Sequence, residues 1–247
     1  MNKLKRQDRL LISKMHRAFS EYRMLNDGDK VAVAVSGGHD SLSLLRLLQI
    51  RRPITREDYD LVAIHILGDA NGPDDFTEYQ PLLDWLSVSG LEYVVEPMRL
   101  ADGERLPMNC YRCSWNRRST LFQVASRLGC NKIAFGHHFD DMVETALLNL
   151  LYQGRMATMY PCESYFGRAF HLIRPMIYIT RQELEDFAKA NGFPDPPPCC
   201  PNSITSERKT IANILSLADQ SYQNMRANIF RAAMHCMKLE DQKEEKG

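Results

Sequence analysis

Three strings in this chain combine residue types that do chemistry with spacings that let them do it together. Ser36-Gly37-Gly38-His39-Asp40-Ser41 sets two glycines, hydroxyls and a carboxylate between an apolar run and a leucine-rich one. Glycine tolerates positive φ and lets a ligand approach the backbone, and successive N–H groups where a helix begins make an anion site. Ser36, Ser41 and Ser43 add hydroxyl donors, and Asp40 suits a magnesium ion that bridges phosphate oxygens. Gly136-His137-His138-Phe139-Asp140-Asp141-Met142-Val143-Glu144-Thr145 is the second string. Its spacing permits a divalent-metal site or acid–base work, and equally a helix N-cap at Asp140 with acids favouring the helix dipole. Cys110-Tyr111-Arg112-Cys113 is the third, a C-x-x-C, with Cys199-Cys200 far downstream. Such thiolates serve half a zinc site, a redox pair, or an iron–sulfur cluster.

These strings must be held by elements, and the apolar pattern predicts which. Lys30 to Val35, Leu61 to Leu67, Glu92 to Pro97 and Lys132 to Gly136 read as buried strands. Helical patterns run from Asp40 to Arg51, Tyr79 to Ser89, Cys113 to Leu128, Asp140 to Tyr152 and Arg181 to Asn191. Ile177 to Ile179 reads as a further short strand or extended segment. Strands filled with continuous apolar residues and alternating with helices predict an α/β fold, a Rossmann-like (HUP-type) parallel sheet with helices on both faces. Loops at the carboxyl ends of such strands bind ligands, and both polar strings fall there. The expected organisation is an amphipathic N-terminal helix in residues 1–25, a nucleotide-binding α/β domain over 26–192, and a cysteine-containing bend with two helices over 193–247. Those two helices are predicted near Ser206 to Ala218 and Tyr222 to His235, with a frayed charged tail.

The chain's 247 residues suffice for a real core, and 44% hydrophobic with 25% charged residues predicts a folded protein. No apolar run reaches a membrane span, and the basic N-terminus lacks the apolar core and cleavage site of a secretory signal. A cytoplasmic protein is expected, in which seven cysteines serve as ligands or reagents rather than bridges. The formal net charge is zero, so any nucleic-acid binding needs a local basic surface. Lys3, Lys5, Arg6, Arg9, Lys14, Arg17 and Arg23 against Asp8 and Glu21 offer one, with Arg226 and Arg231 adding to it.

The glycine string is neither a Walker A loop, which ends in Lys, nor a dinucleotide fingerprint, which has a third glycine. S-G-G-x-D-S between a strand and a helix resembles the PP-loop of the ATP pyrophosphatase (adenine nucleotide α-hydrolase-like) family. G-H-H-x-D-D-x-x-E-T, Cys110-x-x-Cys113-Ser114-x-x-Arg117-Arg118, Ile173-Arg174-Pro175 and Arg208-Lys209-Thr210-Ile211-Ala212 are similar to its TtcA-like tRNA sulfurtransferase branch, which makes 2-thiocytidine. The resemblance spans roughly Leu25 to Leu217. It implies ATP on Ser36, Gly37, Gly38, Asp40, Ser41 and Gly136, with adenine near His65, and Mg2+ at Asp40. It implies catalytic roles for Asp140, Asp141 and Arg117. It implies a 4Fe–4S cluster on Cys110, Cys113 and either Cys200 or Cys199, because P-C-C-P-N-S departs from the branch's P-C-x-x-C-G-S-Q. The implied partners are tRNA, a sulfur donor (desulfurase-derived or inorganic sulfide) and a second copy in a homodimer. The residues alone also admit a PP-loop enzyme that thiolates or amidates another RNA base or a small molecule, or a nucleotide-binding protein with structural zinc.

Overall fold

The structure, a computed structural model, describes residues 5–73, 79–197 and 207–244. Cys199 and Cys200 lie outside the described residues, as does Lys3. The predicted apolar runs form strands β1 (Asp29–Ala34), β2 (Tyr59–Leu67), β3 (Glu92–Pro97) and β4 (Lys132–Ala134), followed by β5 (Cys162–Tyr165) and β6 (Phe170–Ile173). They join one sheet in the order β3-β2-β1-β4-β6-β5, parallel throughout except for the β5–β6 pair. β1 sits between β2 and β4, with Val31 opposite both Leu61 and Lys132. The chain winds away from β1 in opposite directions on its two sides, which opens a crevice at the carboxyl ends of β1 and β4.

The helices are α1 (Arg6–Tyr22), α2 (His39–Arg51), α3 (Gln80–Val88), α4 (Cys110–Arg127), α5 (Phe139–Gln153), α6 (Arg181–Asn191), α7 (Glu207–Asp219) and α8 (Met225–Glu244). Strand alternation divides the core into two. Val31, Val33, Leu61 and Ala63 face one side, with side chains from α1, α2, α3, α5, α6, α7 and α8. Ala32, Val62, Ile64 and Ile66 face the other, against Leu121, Phe122, Val124 and Ala125 of α4. The C-terminal helices share the first core through Ile211, Leu215, Phe230 and Met234. Among the described residues no helix is long and apolar enough to cross a membrane.

Three local readings are corrected. Ile177 to Ile179 is a turn, not a strand: Ile179 N–H donates to Met176 O, and both isoleucines are buried because this turn docks under the start of α5, where Phe139 N–H donates to Ile179 O. The strand beside β4 is instead Phe170–Ile173, the second arm of a hairpin whose turn holds Phe166, Gly167 and Arg168 at positive φ. α4 starts at Cys110 rather than Cys113, because the Asn109 side chain caps it by accepting from Arg112 N–H at 2.9 Å. The charged tail continues α8 to Glu244, anchored by Arg155 on Glu240 (2.6 Å) and Tyr160 on Asp241 (2.9 Å).

Candidate functional site

The glycine loop leaves β1 and folds on itself. Ser41 Oγ accepts from Ser36 N–H at 3.1 Å and donates to Gly38 O at 2.8 Å, while Ser36 Oγ accepts from Gly38 N–H at 3.3 Å. The serines thus brace the loop, and the first N–H groups of α2 lie beyond it without helical partners, as at any helix start. Gly37 has φ +88°, and a Cβ there would meet Pro197 at 3.1 Å.

Gly136 ends the β4 run for a different reason. A Cβ on it would lie 3.1 Å from the backbone of Asp40 and Ser41, so the two polar strings touch main chain to main chain. His138 then caps α5: its Nδ1 accepts from Asp140 N–H at 3.2 Å, and its N–H donates to Asp141 Oδ2 at 2.9 Å. With Nδ1 accepting, Nε2 carries the proton, and it faces Asp40 Oδ2 at 3.7 Å and Asp141 Oδ2 at 3.6 Å. Two carboxylates from two helix N-termini therefore share one buried imidazole. Burial pushes Asp40's carboxyl above its ordinary range; His138 opposes that shift and the like charge of Asp141 adds to it. A divalent cation relieves such a pair. Two hard carboxylate donors beside a phosphate cradle are the donor set that suits a magnesium ion sharing phosphate oxygens.

The adjacent aspartate does something else. Asp140 is buried, accepts from Arg226 Nη1 at 2.9 Å and from Arg181 N–H at 2.7 Å, and does not line the cavity. Glu144 accepts from Arg181 Nη2 at 2.8 Å. Both Asp140 oxygens are thus committed to joining α5 to α6 and α8, and of the two aspartates expected to be catalytic Asp141 is the one that faces the cavity. His65 also lies off the cavity lining. Its ring is buried on the opposite face of β2 from Ile64 and Ile66, with Nδ1 2.7 Å from Val35 O. Ile64 and Ile66 are the strand's cavity residues.

A cavity of about 590 Å3 brings the rest together. Ser36, Asp40 and Ser41 line it from the loop, Gly136, His137 and Asp141 from the second string, and Cys110, Cys113, Arg117 and Arg118 from α4. Arg117 Nη2 is steadied by Ile66 O at 2.9 Å, and Arg208 of α7 also lines the cavity. Two cysteines three apart on the first turn of α4 open on a space shared with the phosphate cradle. That donor set suits a thiophilic iron cluster completed from elsewhere in the chain.

His137 is the site residue the sequence reading left unassigned. Its ring stacks on Phe135, 5.7 Å between centroids, and its Nδ1 is buried with no partner among the described residues. Burial and Arg174, with smaller pushes from Arg208 and Arg118, hold its pKa down at about 4 despite Asp141. Between that value and its ordinary 6.5 the unfolded chain binds the extra proton, so acidification through this window costs stability. His137→Gln is expected to narrow the gap in urea midpoint between about pH 7 and pH 5. An unchanged gap would place the acid sensitivity elsewhere.

Fold and site together define a nucleotide-binding α/β protein with a phosphate cradle that lacks the Walker lysine. Residues 9–194 match the family model described as the PP-loop domain. The tRNA-cytidine(32) 2-sulfurtransferase of Syntrophotalea carbinolica is 33% identical over 224 residues, covering 87% of this chain and 85% of that protein. Its counterpart in Geobacter metallireducens is 34% identical over 223 residues, with the same coverage. The solved structure of the U34-tRNA thiolase NcsA from Methanococcus maripaludis, with its 4Fe–4S cluster, shares the fold at a TM-score of 0.76 and 21% identity, covering 94% of this chain and 80% of that one. The chain belongs to the PP-loop family, in the branch of the tRNA 2-sulfurtransferases.

Gly136→Ala follows from the close contact as a test of the cradle. The added methyl must shift the start of α2 by a few tenths of an ångström, and since misplacement of reacting groups by about 1 Å costs on the order of 10²-fold in rate, a fraction of that is expected. ATP-dependent pyrophosphate release is expected to fall by roughly 3- to 10-fold with the fold intact by circular dichroism. Undiminished release would mean the contact does not set the geometry.

Proposed function

We propose that this chain is an ATP-dependent, iron–sulfur-dependent tRNA sulfurtransferase that replaces a base carbonyl oxygen, O2 of a cytidine, with sulfur. The observation that carries this is the convergence of phosphate cradle, carboxylate pair and cysteine pair on one cavity. The Ser36 to Ser41 loop and the α2 N-terminus hold the ATP phosphates, and Asp40 and Asp141 would hold Mg2+, which would neutralise phosphate charge. The base oxygen forms a bond to the α-phosphorus and pyrophosphate leaves; Arg117, Arg118 and Arg208 face the charge that develops there. A sulfur nucleophile then bonds to C2, and AMP departs with the former O2. Cys110, Cys113 and one of Cys199 and Cys200 would hold a 4Fe–4S cluster, which would supply thiophilic iron chemistry for handling that sulfur.

Support for the third ligand comes from both flanks. Pro197 abuts the cradle at Gly37, and Arg208 lines the cavity. The sulfur comes from a desulfurase or from inorganic sulfide, the enzyme works in the cytoplasm where tRNA is, and two copies pair as a homodimer. The test is anaerobically purified full chain with an unmodified tRNA transcript carrying cytidine 32, ATP, Mg2+ and sulfide. Mass spectrometry of digested RNA is expected to show 2-thiocytidine, with AMP released in equal amount. Thiolation of a small molecule without RNA, or no thiolated nucleoside, would overturn the assignment.

A further inference from the structure

The outer side of α4, next to the cavity-lining face, carries a feature that the reaction described above leaves unused. Tyr111 and Trp115 are one helical turn apart and are 72% and 44% exposed, in a protein that buries most of its large apolar side chains. They lie next to Cys110 and Ser114, which line the cavity. We propose that Tyr111 and Trp115 form a stacking platform for unpaired RNA bases that flank the base being modified. This rests on the tRNA reading of the cavity and deepens it.

Rigidity is the first reason. The Arg112 guanidinium lies 4.9 Å from the centre of the Trp115 ring. Glu104 fixes it, with Nε 3.1 Å from both carboxylate oxygens and Nη2 at 2.6 Å. Asn116, fully buried, donates to the same carboxylate at 2.6 Å. The indole is thus backed by an immobilised cation on one side, and little rotamer freedom remains to be lost on stacking. Charge is the second reason. Arg99 and Arg127 pair with Glu96 and Arg112 with Glu104, while Arg117 and Arg118 of α4 turn to the cavity. Arg118, one turn beyond, is exposed and also lines the cavity, so a strand laid on the rings finds a cation for its phosphate at the entrance. Exposed aromatics interleaved with arginines are the composition of single-strand nucleic-acid grooves.

The test measures binding of an unmodified tRNA transcript by the full chain, purified without oxygen, beside an RNA duplex of equal charge. The Tyr111→Ala/Trp115→Ala double variant is expected to lose roughly 10- to 100-fold in tRNA affinity, with duplex and ATP binding unchanged. Trp115 is one of two tryptophans, and Trp85 packs edge-on against Phe193 at 5.5 Å. Transcript should therefore quench wild-type tryptophan fluorescence, and Trp115→Phe should abolish the quenching while keeping most of the affinity. Equal affinity of wild type and double variant for tRNA would overturn the platform and leave the RNA reading standing. So would a double variant that binds tRNA normally but changes oligomeric state, since the rings would then be a protein interface. A wild-type chain that binds no RNA would overturn both.

Discussion

Asp141→Asn is expected to reduce tRNA-dependent pyrophosphate release by at least about 10²-fold, with melting temperature and iron content close to wild type. The substitution separates two functions of one side chain. As a cap, Asp141 only has to accept from His138 N–H, and an asparagine oxygen does that. As half of the pair facing His138 Nε2, it must carry charge, and the amide removes it. Asp140→Asn should show the reverse. The Arg226 guanidinium would lose its buried anion, so stability should fall while adenylation by the remaining folded enzyme persists. If Asp141→Asn turns over normally, Asp141 is a helix cap and the magnesium assignment fails.

Cys113→Ser, and Cys110→Ser beside it, is expected to bring thiolation down to background with ATP binding retained. Both thiols open on the cavity, but the phosphate cradle is built from other elements, so the two activities should part cleanly. Iron and acid-labile sulfide on anaerobically purified protein are the direct measurement. Wild type should hold about four of each, as a 4Fe–4S centre requires. Cys199→Ser and Cys200→Ser, made separately, identify the third ligand as the one whose loss empties the site. Zinc in place of iron would retain the nucleotide site and remove the sulfur-holding role of the cysteines.

Much of this was legible in the sequence because it is local chemistry. A buried β-branched run, two glycines and an acid fix a strand, a tight turn and a helix start wherever they occur. Periodicity located α2, α3, α5 and α6 to within a residue or two. What stayed illegible depends on which way a side chain points once the sheet is assembled. Asp140 and Asp141 are neighbours in sequence, yet helix geometry turns one into the cavity and the other toward α8. His65 sits in the middle of an apolar strand that borders the site, and strand alternation sends it to the far face. His138 reads as one polar residue among five until its cap geometry shows which nitrogen holds the proton. The β5–β6 hairpin was hidden because its turn places Phe166 and Arg168, residues with no turn preference, in the left-handed region.

The main-chain contact at Gly136 has a bearing on how this family of sites varies through evolution. The distance between phosphate cradle and carboxylates is set by one backbone resting on another, with no side chain as a spacer. No substitution at another position can lengthen or shorten that spacer by a methylene. Drift in the surrounding core is therefore filtered at a single glycine: changes that keep the strand and helix in register are tolerated, and those that part them break both halves of the site at once.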